Sequence, residues 1–131
     1  MLAQKPKGTL RASIADSLIS GPVAQPDGSS VFEFRFSAND PVFAGHFPGR
    51  PLLPGIFQIE LARMAAQKVL GHNLVIREIS KAKFLRPILP EEIIRLSLKL
   101  VEEPSIIQAR AGLVVGGQPA GEIALRLWRK E

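Results

Sequence analysis

The stretch GIFQIELARMAAQKVL, residues 55–70, decides the fold. It holds no glycine or proline after Gly55, opens behind Pro54 and runs into Gly71, so it predicts one long helix from Pro54 to Leu70. Ile56, Phe57, Ile59, Leu61, Ala62, Met64, Ala65, Ala66 and Val69 cover most of the circumference, leaving narrow gaps for Gln58, Glu60, Arg63 and Gln67. A helix that is apolar on most sides cannot lie on a surface. Something must wrap it.

The wrapping comes from strands on either side. VFEFRF at 31–36 alternates Phe32, Phe34 and Phe36 with Glu33 and Arg35, after a turn-rich stretch from Gly21 to Ser30. Leu74 to Phe84 and Ile93 to Val101 repeat the period of two, with Ile94, Leu96, Leu98 and Leu100 set against Arg95, Ser97 and Lys99. Ile106 to Val115 and Gly121 to Trp128, joined by GGQPA, predict a terminal hairpin. The expected class is α+β, an antiparallel sheet curled around one long central helix, with short connections favouring meander or hairpin pairing. At 131 residues the chain is expected to form a single domain over 1–131, with 1–8 as a loose arm and order beginning near Leu10.

Composition narrows the function. Apolar residues make up 46% and charged residues 22%, which excludes a disordered chain. There is no cysteine, which excludes disulfides and thiol nucleophiles and fits a cytoplasmic setting. No run is long enough to span a bilayer, and none has the apolar core of a signal peptide. The net charge of +5 is scattered among glutamates with few aromatic residues, so a nucleic-acid partner is not expected. Part of that charge could instead meet an acidic protein.

The candidate chemistry lies between two features. Asp40 to Pro54 carries Pro41, Pro48, Pro51 and Pro54, which forbid regular structure and predict a conformationally fixed loop. Inside it, His46 stands 14 residues before Glu60 on the helix. Glu60 interrupts an apolar wheel, and a buried carboxylate needs a partner or a task. Burial would raise its pKa and make it a general acid; alternatively it sits at a helix edge, solvated or paired with Arg63 or Lys68. His46 alone could be a structural hydrogen-bonding residue. Pro54-Gly55 offers unpaired N–H groups and the positive end of the helix dipole to a developing oxyanion, although proline at a helix start needs no substrate to explain it. A proton acceptor, a proton donor and oxyanion donors together suit enolate chemistry on a thioester.

The segment GHFPGRPLLPGIFQIE resembles the active-site segment of bacterial 3-hydroxyacyl-acyl carrier protein dehydratases, which are hotdog-fold enzymes. The likeness covers the histidine before Phe47-Pro48-Gly49, Pro51, Pro54-Gly55 and the acid at Glu60, and KAKFLRPILPEE is similar to a later family segment. It implies that His46 abstracts the C2 proton, Glu60 protonates the departing C3 hydroxyl, and the N–H groups of Gly55 and Phe47 hold the thioester oxygen, with no cofactor or metal. It further implies an acyl carrier protein as partner, docked by basic residues for which Arg50, Lys81, Lys83 and Arg86 are candidates. A homodimer with active sites shared between subunits, compatible with assembly into a hexamer, is also implied. The chain departs from the family at Met64, where a glutamine is usual, in having no tyrosine, and at Glu91-Glu92, where glycine and aspartate are usual. A thioesterase on the same fold and a non-catalytic acyl-binding subunit are the alternatives.

Overall fold

The computed structural model describes residues 10–43 and 51–130. The expected 1–8 arm therefore lies outside the described residues. Two helices and six strands follow in the order α1 (Leu10–Ser17), β1 (Leu18–Ala24), β2 (Ser30–Phe34), a 3-10 turn (Pro41–Phe43), α2 (Gly55–Leu70), β3 (Leu74–Phe84), β4 (Ile94–Glu102), β5 (Ile107–Val115) and β6 (Gln118–Arg129). All six strands form one antiparallel sheet, ordered β1-β2-β4-β5-β6-β3, and α2 packs on it. This is the hotdog arrangement.

Helix α2 has the predicted bounds for a local reason. Pro54 is extended at its N-cap, and Gly71 ends it in the left-handed region at φ 71°, where its N–H donates to the Gln67 carbonyl at 2.8 Å. The alternation read in the later strands also holds. Leu96, Leu98, Ile107, Leu113, Ile123, Leu125 and Leu127 are buried with Phe32, Phe34, Leu61, Ala65 and Ala66 in one core.

Four features depart from expectation. The stretch Gly21 to Ser30 is only partly turn, because β1 runs on to Ala24 and pairs with β2. Gly21 carries a φ of 114°, and a Cβ there would meet the Val31 carbonyl at 2.7 Å, so the residue that suggested a turn instead permits close strand pairing. The proline-rich loop contains one short regular piece, the 3-10 turn. Leu10 to Ile19, which showed only a mixed pattern, is mostly helix and packs on α2. Finally, the sheet is not a meander throughout. The helix carries the chain across the sheet, so β3 pairs with β6 at the far edge and β4 returns to pair with β2. Only Leu74 of β3 is buried, and Ile79 and Phe84 are exposed on an edge that no described strand covers. No helix among the described residues is long and apolar enough to cross a membrane.

Candidate active site

The start of α2 is held by backbone pairing. Leu53 N–H donates to the Ile88 carbonyl at 2.8 Å, which fixes the approach to Pro54. No side chain caps the helix, and the Gly55 N–H has no acceptor among the described residues. It therefore keeps the donor capacity that an oxyanion requires. The glycine has a second cause that sequence reasoning did not supply. A Cβ on residue 55 would lie 2.6 Å from the tip of the Phe84 ring, so a larger residue there would require the half-exposed Phe84 to move whether or not a substrate approaches.

One and a half turns further on, Glu60 is 7% exposed and Arg63 5% exposed. Arg63 Nε donates to Glu60 Oε2 at 2.6 Å and Nη2 to Oε1 at 2.9 Å, a bidentate fork on one carboxylate. The same guanidinium donates through Nη1 to Gln67 Oε1 at 2.6 Å and to the Leu74 carbonyl at 3.2 Å. Gln67 Oε1 also accepts the Leu74 N–H at 2.9 Å. The carboxylate is thus both buried and paired with Arg63, and it is neither solvated nor bonded to Lys68. Burial follows from the helix pattern. The pairing follows from the i, i+3 spacing, which stacks residue 63 over residue 60 on one face.

Gln58 is a further polar residue that the apolar pattern concealed. It is 2% exposed, its side chain lies against Gly121 of β6, and its Oε1 has no donor among the described residues. A side chain at position 121 would collide with it.

The loop that leads toward His46 is tied at its entry. Asp40 Oδ1 accepts the Ser13 hydroxyl at 2.8 Å and the Val42 N–H at 2.8 Å, fastening the 3-10 turn to α1. His46, Phe47 and Arg50 lie outside the described residues. Of the other basic candidates, Lys81 forms an ion pair with Glu122 at 2.8 Å, and Lys83 is exposed. The Lys81 hydrogen bond and charge, with a smaller contribution from Lys83, hold the Glu122 carboxyl below its ordinary range. Arg86 turns to the β5–β6 hairpin, donating to Gln118 Oε1 at 3.2 Å and to the Val115 carbonyl at 3.4 Å.

A family model described as ApeI-like, ApeI dehydratase, matches residues 23–113, more than half of the chain. The 3-hydroxyacyl-acyl carrier protein dehydratase FabZ of Haemophilus influenzae, strain PittEE, is 36% identical over 105 residues, covering 73% of this chain and 71% of its own. The chain belongs to the 3-hydroxyacyl-acyl carrier protein dehydratase family. The FabZ dehydratase of Chlamydia trachomatis serovar L2, strain 434/Bu, is 35% identical over 119 residues, covering 79% of this chain and 75% of its own. Among solved structures, the dehydratase heterocomplex ApeI:P from Xenorhabdus doucetiae aligns with a TM-score of 0.66 and 27% identity, over 84% of this chain and 100% of that one. This dehydratase is a hotdog-fold hydro-lyase, and that membership selects dehydration among the three activities left open by the residues.

Proposed function

We propose that the dehydratase acts on a 3-hydroxyacyl group carried by acyl carrier protein, with His46 as base, Glu60 as acid, and the N–H groups of Gly55 and Phe47 as oxyanion donors. His46 takes the C2 proton, and that electron pair becomes the C2–C3 double bond. The C3–O bond breaks and the departing hydroxyl leaves as water with a proton from Glu60. His46 then releases its proton and Glu60 regains one. In the reverse direction Glu60 receives a proton from the adding water, through the same oxygen by microscopic reversibility.

The observation that carries this reading is the burial of Glu60 on α2, about 7.5 Å along the helix axis from the uncapped Gly55 N–H. Arg63 holds that carboxylate in place of solvent, on the same helix that offers the Gly55 N–H. A shared site in a homodimer is supported by the bare edge of β3, where Ile79 and Phe84 are exposed beside an unpaired ladder. Of the proposed carrier-docking residues, Lys83 keeps an exposed side chain, while Lys81 is engaged by Glu122. In this reading the enzyme is cytoplasmic, and its dimers could assemble further into a hexamer.

Mass spectrometry of 3-hydroxyacyl carrier protein after incubation tests the assignment. Wild type should remove one water. His46→Ala and Glu60→Gln should each be slower by roughly 100- to 10,000-fold, with unchanged circular dichroism. Glutamine is the informative replacement at position 60 because it keeps the size and one oxygen that can accept from Arg63 while removing the exchangeable acid proton. Full dehydration by folded Glu60→Gln would remove Glu60 from the mechanism.

A further inference from the structure

We infer that Arg63 is the positioning residue for Glu60, holding its carboxylate in the one orientation from which it exchanges a proton at the substrate. The inference rests on the reading of Glu60 as the acid. It adds a residue, an atom-level contact and a reason for this chain's departure at Met64.

A glutamate side chain has three rotatable bonds, and in an apolar helix nothing else among the described residues bonds to the Glu60 carboxylate. A displacement of about 1 Å in a reacting group can cost around 100-fold in rate. Arg63 removes that freedom because its planar fork meets both oxygens at once, at 2.6 and 2.9 Å. The fork is itself fixed. Four donations leave Arg63, two to Glu60 and two to Gln67 Oε1 and the Leu74 carbonyl, out of the five N–H groups that a guanidinium has. The Leu74 N–H bonds the same Gln67 oxygen, so the chain Glu60–Arg63–Gln67 is anchored to the first residue of β3.

Arg63 takes one lone pair on each oxygen, so the protonated acid keeps its O–H for the departing hydroxyl and the carboxylate left after transfer keeps two free lone pairs. Arg63 is therefore compatible with proton exchange and makes no contact with substrate itself. Position 64, one residue on, also stacks over Glu60 on the helix, but Met64 offers no donor there. The carboxylate is supported from the third residue after it and not from the fourth.

The test is a cycle of Arg63→Lys, Glu60→Gln and the double variant. Lysine keeps the positive charge and loses the fork. Arg63→Lys alone should lower kcat by about 10- to 100-fold and leave KM within about twofold, because binding is not its task. In the Glu60→Gln background the same change should alter kcat by less than about twofold, since the group it positions is gone. Adding Met64→Gln to Arg63→Lys should recover part of kcat by bonding the carboxylate from the next position.

Unchanged kcat in Arg63→Lys would overturn the inference, as would an equal loss in both backgrounds. If instead Glu60→Gln itself is fully active, the acid assignment fails, which is a separate result. Should Arg63→Lys not fold, Gln67→Met removes the shorter of the two anchors of Nη1 while leaving both charges. It should lower kcat by about tenfold at constant KM, and wild-type kcat there would equally overturn the inference.

Discussion

The two faces of α2 obey different rules. Gln58, Leu61, Ala62, Ala65 and Ala66 lie within one arc at 100° per residue, and the contact of Gln58 with Gly121 of β6 puts that arc on the sheet. Apart from Gln58, its side chains are small or aliphatic, and close packing holds it. Glu60, Arg63, Met64 and Gln67 occupy the opposite arc, which is nearly as buried but is held by a chain of hydrogen bonds. One face is satisfied by shape, the other only by partners. The difference shows how a helix can be enclosed on all sides and still present a polar group for chemistry.

Substitutions that conserve volume should separate the two. Arg63→Met leaves Glu60 buried without its partner and should destabilise by about 3–5 kcal/mol. Leu61→Met on the sheet face keeps volume and polarity and should cost less than about 1.5 kcal/mol. Urea denaturation of both variants beside wild type would measure the contrast. Equal losses would mean that the Glu60–Arg63 pair contributes no more than packing does.

A smaller effect is expected away from the helix, on the outer face of the sheet. Asp27 accepts the Ser29 hydroxyl at 2.6 Å and the Ser29 N–H at 2.9 Å, and these bonds, with the charge of Lys99, hold its carboxyl below the ordinary value of 3.8. Because the folded value is depressed, the stabilisation is present above the unfolded value and is lost as pH falls through the folded one. Thermal melts of Asp27→Asn should therefore lie slightly below wild type at neutral pH and converge with it in acid. A gap that persisted unchanged in acid would assign the loss to something other than ionisation.

Much of the fold was legible because apolar spacing is dense. Strand β3 has the predicted limits, and α2, β4 and β5 begin within one residue of them. Strand order was not legible, since the crossing of α2 over the sheet carries β3 to the far edge and no local pattern encodes that. Strand β1 was hidden because Gly21 and Pro22 resemble turn residues, although at Gly21 the missing side chain is what lets Val31 come close. At the candidate site, Glu60 stood out as the carboxylate in an apolar wheel. Its union with Arg63 was one of several open possibilities, because an arginine three residues on can curl back to the carboxylate or extend into solvent. Gln58 gave no signal beyond being polar among apolar neighbours.

We propose that His46 of one subunit works with Glu60 of another, and complementation tests this directly. Inactive homodimers of His46→Ala and of Glu60→Gln are mixed, and subunit exchange is verified by native mass spectrometry. Each mixed dimer would hold one site with both residues intact and one with neither. Random exchange makes about half of the dimers mixed, so turnover of 3-hydroxyacyl carrier protein should recover to roughly a quarter of wild type. Verified exchange without recovered turnover would contradict the shared site and confine both residues to a single chain.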